Sequence, residues 1–158
     1  MADGIFNVGL GRWAELVNRV DANEPTNSAL IIVALKSAGL VTDAELKDLA
    51  TLAVILEGAS DEATNSGYSR KVFTDTDLVA ASPDNVNDRQ TATMPNPEWK
   101  AVAEAGGKWG KLLVCYDADT TSGTDANIIP LVHLDYLETP SGSDLKAEVN
   151  ALGFAKAS

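Results

Sequence analysis

Residues 108–135 read KWGKLLVCYDADTTSGTDANIIPLVHLD and hold the chain's single cysteine, Cys115, and its single histidine, His133, together with Asp117, Asp119, Asp125 and Asp135. A thiol beside an imidazole is the raw material of a nucleophile and its base; an imidazole among carboxylates is that of a metal site. A nucleophilic cysteine needs an electropositive setting that favours the thiolate. Here the neighbours are acidic, and alternation puts Leu112, Val114 and Tyr116 on one strand face with Leu113 and Cys115 on the other. Both faces are apolar, as in a central strand, which makes Cys115 a small buried hydrophobe. His133 and Asp135 share one strand face, two residues apart. A zinc site wants three or four ligands, however, and there is no second histidine or cysteine to complete the set, so His133 reads as a partly exposed strand residue.

Asp117, Asp119 and Asp125 open like a calcium loop. The sixth position is Ser122 where glycine makes the sharp turn, and the twelfth is Ile128 where glutamate supplies the bidentate ligand. A hairpin loop rich in Asp, Thr, Ser and Gly is the better reading. GLGRWAE and GKWGK lack the spacing of a phosphate-binding loop. The remaining acids are scattered, and a sequence cannot pair two of them for acid and base work. No catalytic residue, metal ligand or cofactor is assigned. Trp99 and Trp109 are the only aromatic pair that suits a carbohydrate-binding face, the reading of another class (sugar-binding sandwich or small hydrolase).

The elements that would carry these residues fall into two parts. Leu10, Trp13, Leu16, Val17 and Val20 follow helical spacing, which predicts an amphipathic helix over 10–20, ended by Asn23, Glu24 and Pro25. Next, ALIIVALKSAG is apolar nearly all round, predicting a short buried helix stopped at Gly39. Thr42 and Glu45 form a T-x-x-E capping box, and Leu46, Leu49, Ala50, Ala53 and Leu56 make one stripe that ends at Gly58. These features predict a helical hairpin. After the polar loop ASDEATNSG, short runs separated by SPDN, PNP, EAGG, TTSG and TPSGSD predict strands over 70–75, 77–81, 88–94, 98–102, 111–116, 128–137, 145–149 and 153–157. The expected fold is α+β, N-terminal helices packed on a C-terminal antiparallel β-sandwich or curled sheet. A single domain spans 1–158, with 1–58 mainly helical and 68–158 mainly β.

Composition bounds the function. The 158 residues are 45% hydrophobic, enough for a real core. Twenty-three acids against twelve bases give a formal charge of −11, which repels phosphate backbones and anionic lipid and argues against nucleic-acid or membrane-surface partners. The apolar run ALIIVAL is far short of the roughly 20 residues that cross a bilayer. MADGIFNVG lacks the basic start and long apolar stretch of a signal peptide, and one cysteine forms no intrachain disulfide, so synthesis in a cytoplasm is expected.

Larger blocks of text carry a resemblance. NDR at 87–89, EWKAV, GKLLVCYDADTTSGTDANIIPL and TPSGSDLKAEVNALGFAKAS, with NSALIIVALKSAGL, DAELKDLATLAVILEG and YSRKVF before them, together cover nearly the whole chain. This text resembles small virion structural proteins of tailed bacteriophages, particularly those infecting actinobacteria. The resemblance implies a capsid decoration or minor capsid protein on the virion surface. Its partners would be the major capsid protein and further copies of itself in a symmetric or quasi-symmetric assembly. A tail or head-to-tail connector component is the neighbouring reading, and no catalytic motif is carried over. The start MADGIFNVGLG has two readings: an arm that orders on a neighbour, with Ile5, Phe6 and Val8 as capsid contacts, or a terminus folded back on its own sheet.

Overall fold

The computed structural model describes residues 3–149 and 155–157 of the chain. In chain order its elements are β1 (Gly4–Ile5), α1 (Trp13–Asp21), β2 (Ala29–Lys36), α2 (Asp43–Leu46), α3 (Leu52–Val54) running into a π-helical turn (Ile55–Ala59), β3 (Lys71–Phe73), β4 (Val79–Asp84), β5 (Arg89–Thr93), β6 (Glu98–Trp99), β7 (Trp109–Asp117), β8 (Ile129–Glu138), β9 (Leu145–Lys146) and β10 (Ala155–Ala157). A five-stranded sheet has the order β1-β8-β7-β2-β3. A three-stranded sheet, β10-β5-β4, and a two-stranded ribbon, β6-β9, complete the β structure. Every pairing is antiparallel.

The expected α+β fold with an N-terminal helical hairpin is overturned: the chain is mostly β, and among the described residues the only helix longer than five residues is α1. The largest correction is ALIIVALK. It is β2, hydrogen-bonded to β7 on one side and β3 on the other, an interior strand of the main sheet. An apolar run without period fits a buried helix or a central strand equally well, and the β-branched Ile31, Ile32 and Val33 favour the strand once partners exist. β2 sends Leu30, Ile32 and Ala34 to one face and Ala29, Ile31, Val33 and Leu35 to the other, and both faces are buried.

The second half of the expected hairpin is also corrected. Thr42 does cap α2: its side chain accepts from Glu45 N, and Glu45 reaches back to Thr42 N. Yet the helix stops after one turn, and Thr51 starts a second one from an extended conformation, its hydroxyl accepting from Val54 N. That interruption resets the helical phase. Leu46 stays buried, Ala50 is exposed, and Leu49, Ala53 and Leu56 are half-buried, while Leu52 and Ile55 take the fully buried seats. The break is matched by an outside partner: Leu52 N donates to Ile128 O and Ala53 N to Asp125 O, so the loop before β8 satisfies first-turn donors of α3.

Elsewhere pattern and structure agree closely. α1 buries Trp13, Leu16, Val17 and Val20 as its spacing predicts, although Leu10 lies outside it and is exposed. Each of the eight expected strands overlaps one of β3 to β10: β3, β5, β6, β9 and β10 are shorter than expected, β7 is longer at both ends, and β4 and β8 end later than expected; Gly153 and Phe154 of the last expected strand lie outside the described residues. α1, β4, β5, Trp99 and Trp109 build the core on one face of the main sheet. Phe6, Leu46, Leu52 and Ile55 cover the other, over Ile31, Val33, Leu113 and Cys115. Among the described residues no helix is long and apolar enough to cross a membrane.

Candidate functional site

The side chains singled out by sequence separate into three places. Cys115 is fully buried on β7, opposite Pro130, inside the core that Phe6, Leu52 and Ile55 cover. Burial drives its thiol far above the usual range, with Asp125 and Glu62 adding to that effect and Arg70 opposing it, so the thiolate is strongly disfavoured. His133 stands opposite Leu113 and is 3% exposed, which corrects the expectation of a partly exposed residue. Its ring meets Phe6 edge-on at 5.4 Å, and its Nδ1 lies 3.4 Å from Lys111 Nζ. Imidazole and thiol therefore have different partners.

The aspartates of the loop are used locally. Asp117 Oδ1 accepts from Asp119 N. Asp119 accepts from the backbone and hydroxyl of Thr121 and from Ser122 Oγ, and these bonds hold its carboxyl below its ordinary pKa. Gly123 packs so tightly over the turn that a Cβ would sit 2.9 Å from Asp119 O. Asp125 points away to Arg70, which it binds through both oxygens at 2.6 and 2.9 Å. Arg70 grips Glu62 through a second fork, at 2.9 and 2.7 Å, and Glu62 also accepts from Tyr68 OH. The guanidinium thus ties the start of β3 to the loop that holds α3. Among the described residues no group of three or more His, Cys, Asp or Glu is arranged to hold a metal ion.

The most unusual chemical environment belongs to a residue that the sequence reading passed over. Lys111 on β7 is fully buried. Its Nζ lies 2.5 Å from Asp135 Oδ1 and 2.9 Å from Asp43 Oδ1, with His133 Nδ1 as a third neighbour. β7 and β8 bring Lys111 and Asp135 directly opposite each other, and Asp43 arrives as the first residue of α2, placed by the Thr42 cap. The N-terminal strand closes the group from above. Asp135 N donates to Asp3 Oδ1, and a Cβ on Gly4 would come within 2.6 Å of His133 Nε2, so a larger residue there would have to displace the imidazole. Desolvation, then the Lys111 cation, lower the His133 pKa, while Asp43, Asp135 and Asp3 oppose them. No protein-family model, curated protein or solved structure matches the chain.

The signal for Lys111 was present in the sequence: one cation in the inward register with Leu113 and Cys115, inside a strand buried from end to end. Its carboxylate partners lie far away in sequence, and nothing in their own neighbourhoods points to it. The N-terminal residues are placed by the same region. Ile5 pairs with Val132, Phe6 is fully buried with its N–H on Leu131 O, and Val8 is half-buried. The segment lies on its own sheet, which is the second of the two readings of this terminus. Trp99 and Trp109 are also fully buried, edge to face at 5.1 Å, with Nε1 of Trp109 on Asn65 Oδ1 and Nε1 of Trp99 on Ser69 O. They are core residues, unavailable to stack on a sugar.

Proposed function

We propose that this chain is a structural protein of a tailed-phage virion, a capsid decoration or minor capsid protein that binds the major capsid protein and stabilises the head without chemistry. The observation that carries this reading is the resemblance of nearly the whole sequence to such proteins. The structure adds support of a general kind. The thiol, imidazole and carboxylates that suggested chemistry are engaged in packing, turns and ion pairs within the fold. Exposed apolar side chains sit where one protein can dock on another: Val79 at the start of β4, Val86 in the β4–β5 turn, Val72 on β3 and Leu137 near the end of β8. β3 and β4 are edge strands of their sheets, able to accept a further strand. Because Phe6 is fully buried, docking is assigned to these exposed positions ahead of Ile5, Phe6 and Val8. Virion location, partner and copy number all belong to the proposal.

The deciding experiment is electron microscopy of purified particles with quantitation of the protein. A copy number that scales with the capsid lattice, and heads that lose heat resistance when stripped of it, are expected, since a ligand of the assembled state stabilises that state by mass action. A few copies at the tail, or stripped heads equally durable, would replace this reading with the tail or connector one.

A further inference from the structure

We propose that Lys111 and Asp135 become joined by an intramolecular isopeptide bond, with Asp43 as the group that moves the proton. The inference rests on the buried ionic group alone and is independent of the virion reading.

Amide formation between an amine and a carboxylic acid in water is slow and unfavourable, and a protein must meet three conditions to achieve it. The reacting groups must be held in contact. Lys111 and Asp135 are cross-strand partners in the β7–β8 ladder, and Nζ lies 2.5 Å from the carboxylate, so the encounter is already made. Both groups must be neutral for attack. Lys111 is 0% exposed and its Nζ touches the carboxylate, so one proton passed across that contact leaves an amine beside a carboxylic acid with no net change. Finally, a second carboxylate must carry protons between nitrogen and oxygen. Asp43 Oδ1 is 2.9 Å from the same Nζ and is supplied by a separate element.

The step balances without any outside reactant. The Nζ lone pair attacks Cγ of the protonated Asp135 carboxyl, and the carbonyl π pair moves onto oxygen. The Asp43 carboxylate takes a proton from the nitrogen and delivers it to the hydroxyl, which leaves as water as the carbonyl re-forms. The product is a Cγ–Nζ amide that keeps one N–H, with Asp43 Oδ1 and His133 Nδ1 both near enough to accept it. Arg70, held by two carboxylates in a similar way, has no such route, because its delocalised guanidinium stays protonated.

The test is the intact mass of the full-length protein under denaturing conditions, followed by tryptic mapping. The expected result is a chain lighter by one water, no cleavage after Lys111, and a branched peptide that joins the Lys111 and Asp135 segments. Lys111→Arg and Asp135→Ala should restore full mass. Asp43→Asn should leave most of the chain unlinked, and Asp135→Asn should reach the wild-type product mass by losing ammonia. The wild-type measurement needs no variant to fold. Full mass with ordinary cleavage after Lys111 overturns the proposal, as does a lost water that maps elsewhere, for example to a succinimide at Asp3–Gly4.

Discussion

The two faces of the five-stranded sheet are closed by different chemistry. On the α1 side, the buried core cluster is apolar. The buried Asn65 beside it is held by neutral groups: its Nδ2 donates to Ala103 O and Gly107 O, and its Oδ1 accepts from the Trp109 indole. On the other side, the middle is as apolar, with Leu46, Leu52, Ile55 and Phe6 fully buried, but one end is ionic. Lys111 is sunk there between two aspartates, and at the rim Arg70 fastens the loop that receives α3. The difference teaches where each cover gets its specificity. α1 docks chiefly by a periodic stripe, with Asn18 Oδ1 accepting from Ala81 N beside it, whereas α2 and α3 are too short for that and are located by caps, loop carbonyls and a shared cation.

Breaking the cation should show this most strongly. Lys111→Ala removes the cation, or the amide formed from it, and leaves Asp43 and Asp135 facing each other at a partly dry site; it should cost about 3 to 5 kcal/mol or more, the lower figures being the range for removing one partner of a buried ion pair. A urea midpoint near wild type would mean the group is solvated and the two faces alike. Leu52→Ala should cost about 2 to 5 kcal/mol, the usual large-to-small core effect, and Leu49→Ala distinctly less. Equal losses would restore the unbroken helical stripe predicted from sequence. On the α1 side, Asn65→Ala strands the Trp109 indole and two carbonyls and should cost about 1 to 3 kcal/mol in thermal or urea unfolding, with no change in its pH dependence.

Smaller effects sharpen the contrast. Thr42→Ala removes the cap that places Asp43 and should cost about 1 kcal/mol. The pH prediction follows from the sign of two shifts. The folded pKa of His133 is depressed, so the unfolded chain binds its proton first, and stability should decline as pH falls below about 6.5, the ordinary histidine value. His133→Gln should flatten that part of the profile. The Asp125 pKa is also depressed, by its hydrogen bonds to Arg70 and then by that charge, against the effect of burial. Its contribution is therefore present above the ordinary aspartate value, about 3.9, and is lost at lower pH as the carboxyl protonates. Arg70→Ala should remove that acid step and leave the His133 step in place.

Much of this was legible in the text. The spacing of Trp13, Leu16, Val17 and Val20 fixes α1, because a stripe at 3.6 residues per turn has one way to bury itself. The Thr42 and Glu45 pair marks a helix start, because a cap is a contact within four residues. The turn-rich text after residue 60 marks the strands, and the alternation in LLVCY identifies a strand buried on both sides. All of these are local interactions, and a local interaction is written in adjacent residues.

What the sequence left open required partners from elsewhere in the chain. ALIIVALK has the composition of a buried segment and no period that distinguishes strand from helix; it is a strand because β7 and β3 supply backbone partners along its two edges. The helical stripe breaks at Thr51 because carbonyls of residues 125 and 128 take up the freed N–H groups. Phe6 became core rather than an open arm because β8 offered Gly4 and Ile5 an edge. Lys111 acquired its chemistry only when folding placed Asp135 across the ladder and Asp43 above it. Each residue's type was given by the chain, but the field around a buried charge depends on which groups are within a few ångströms, and tertiary structure decides that.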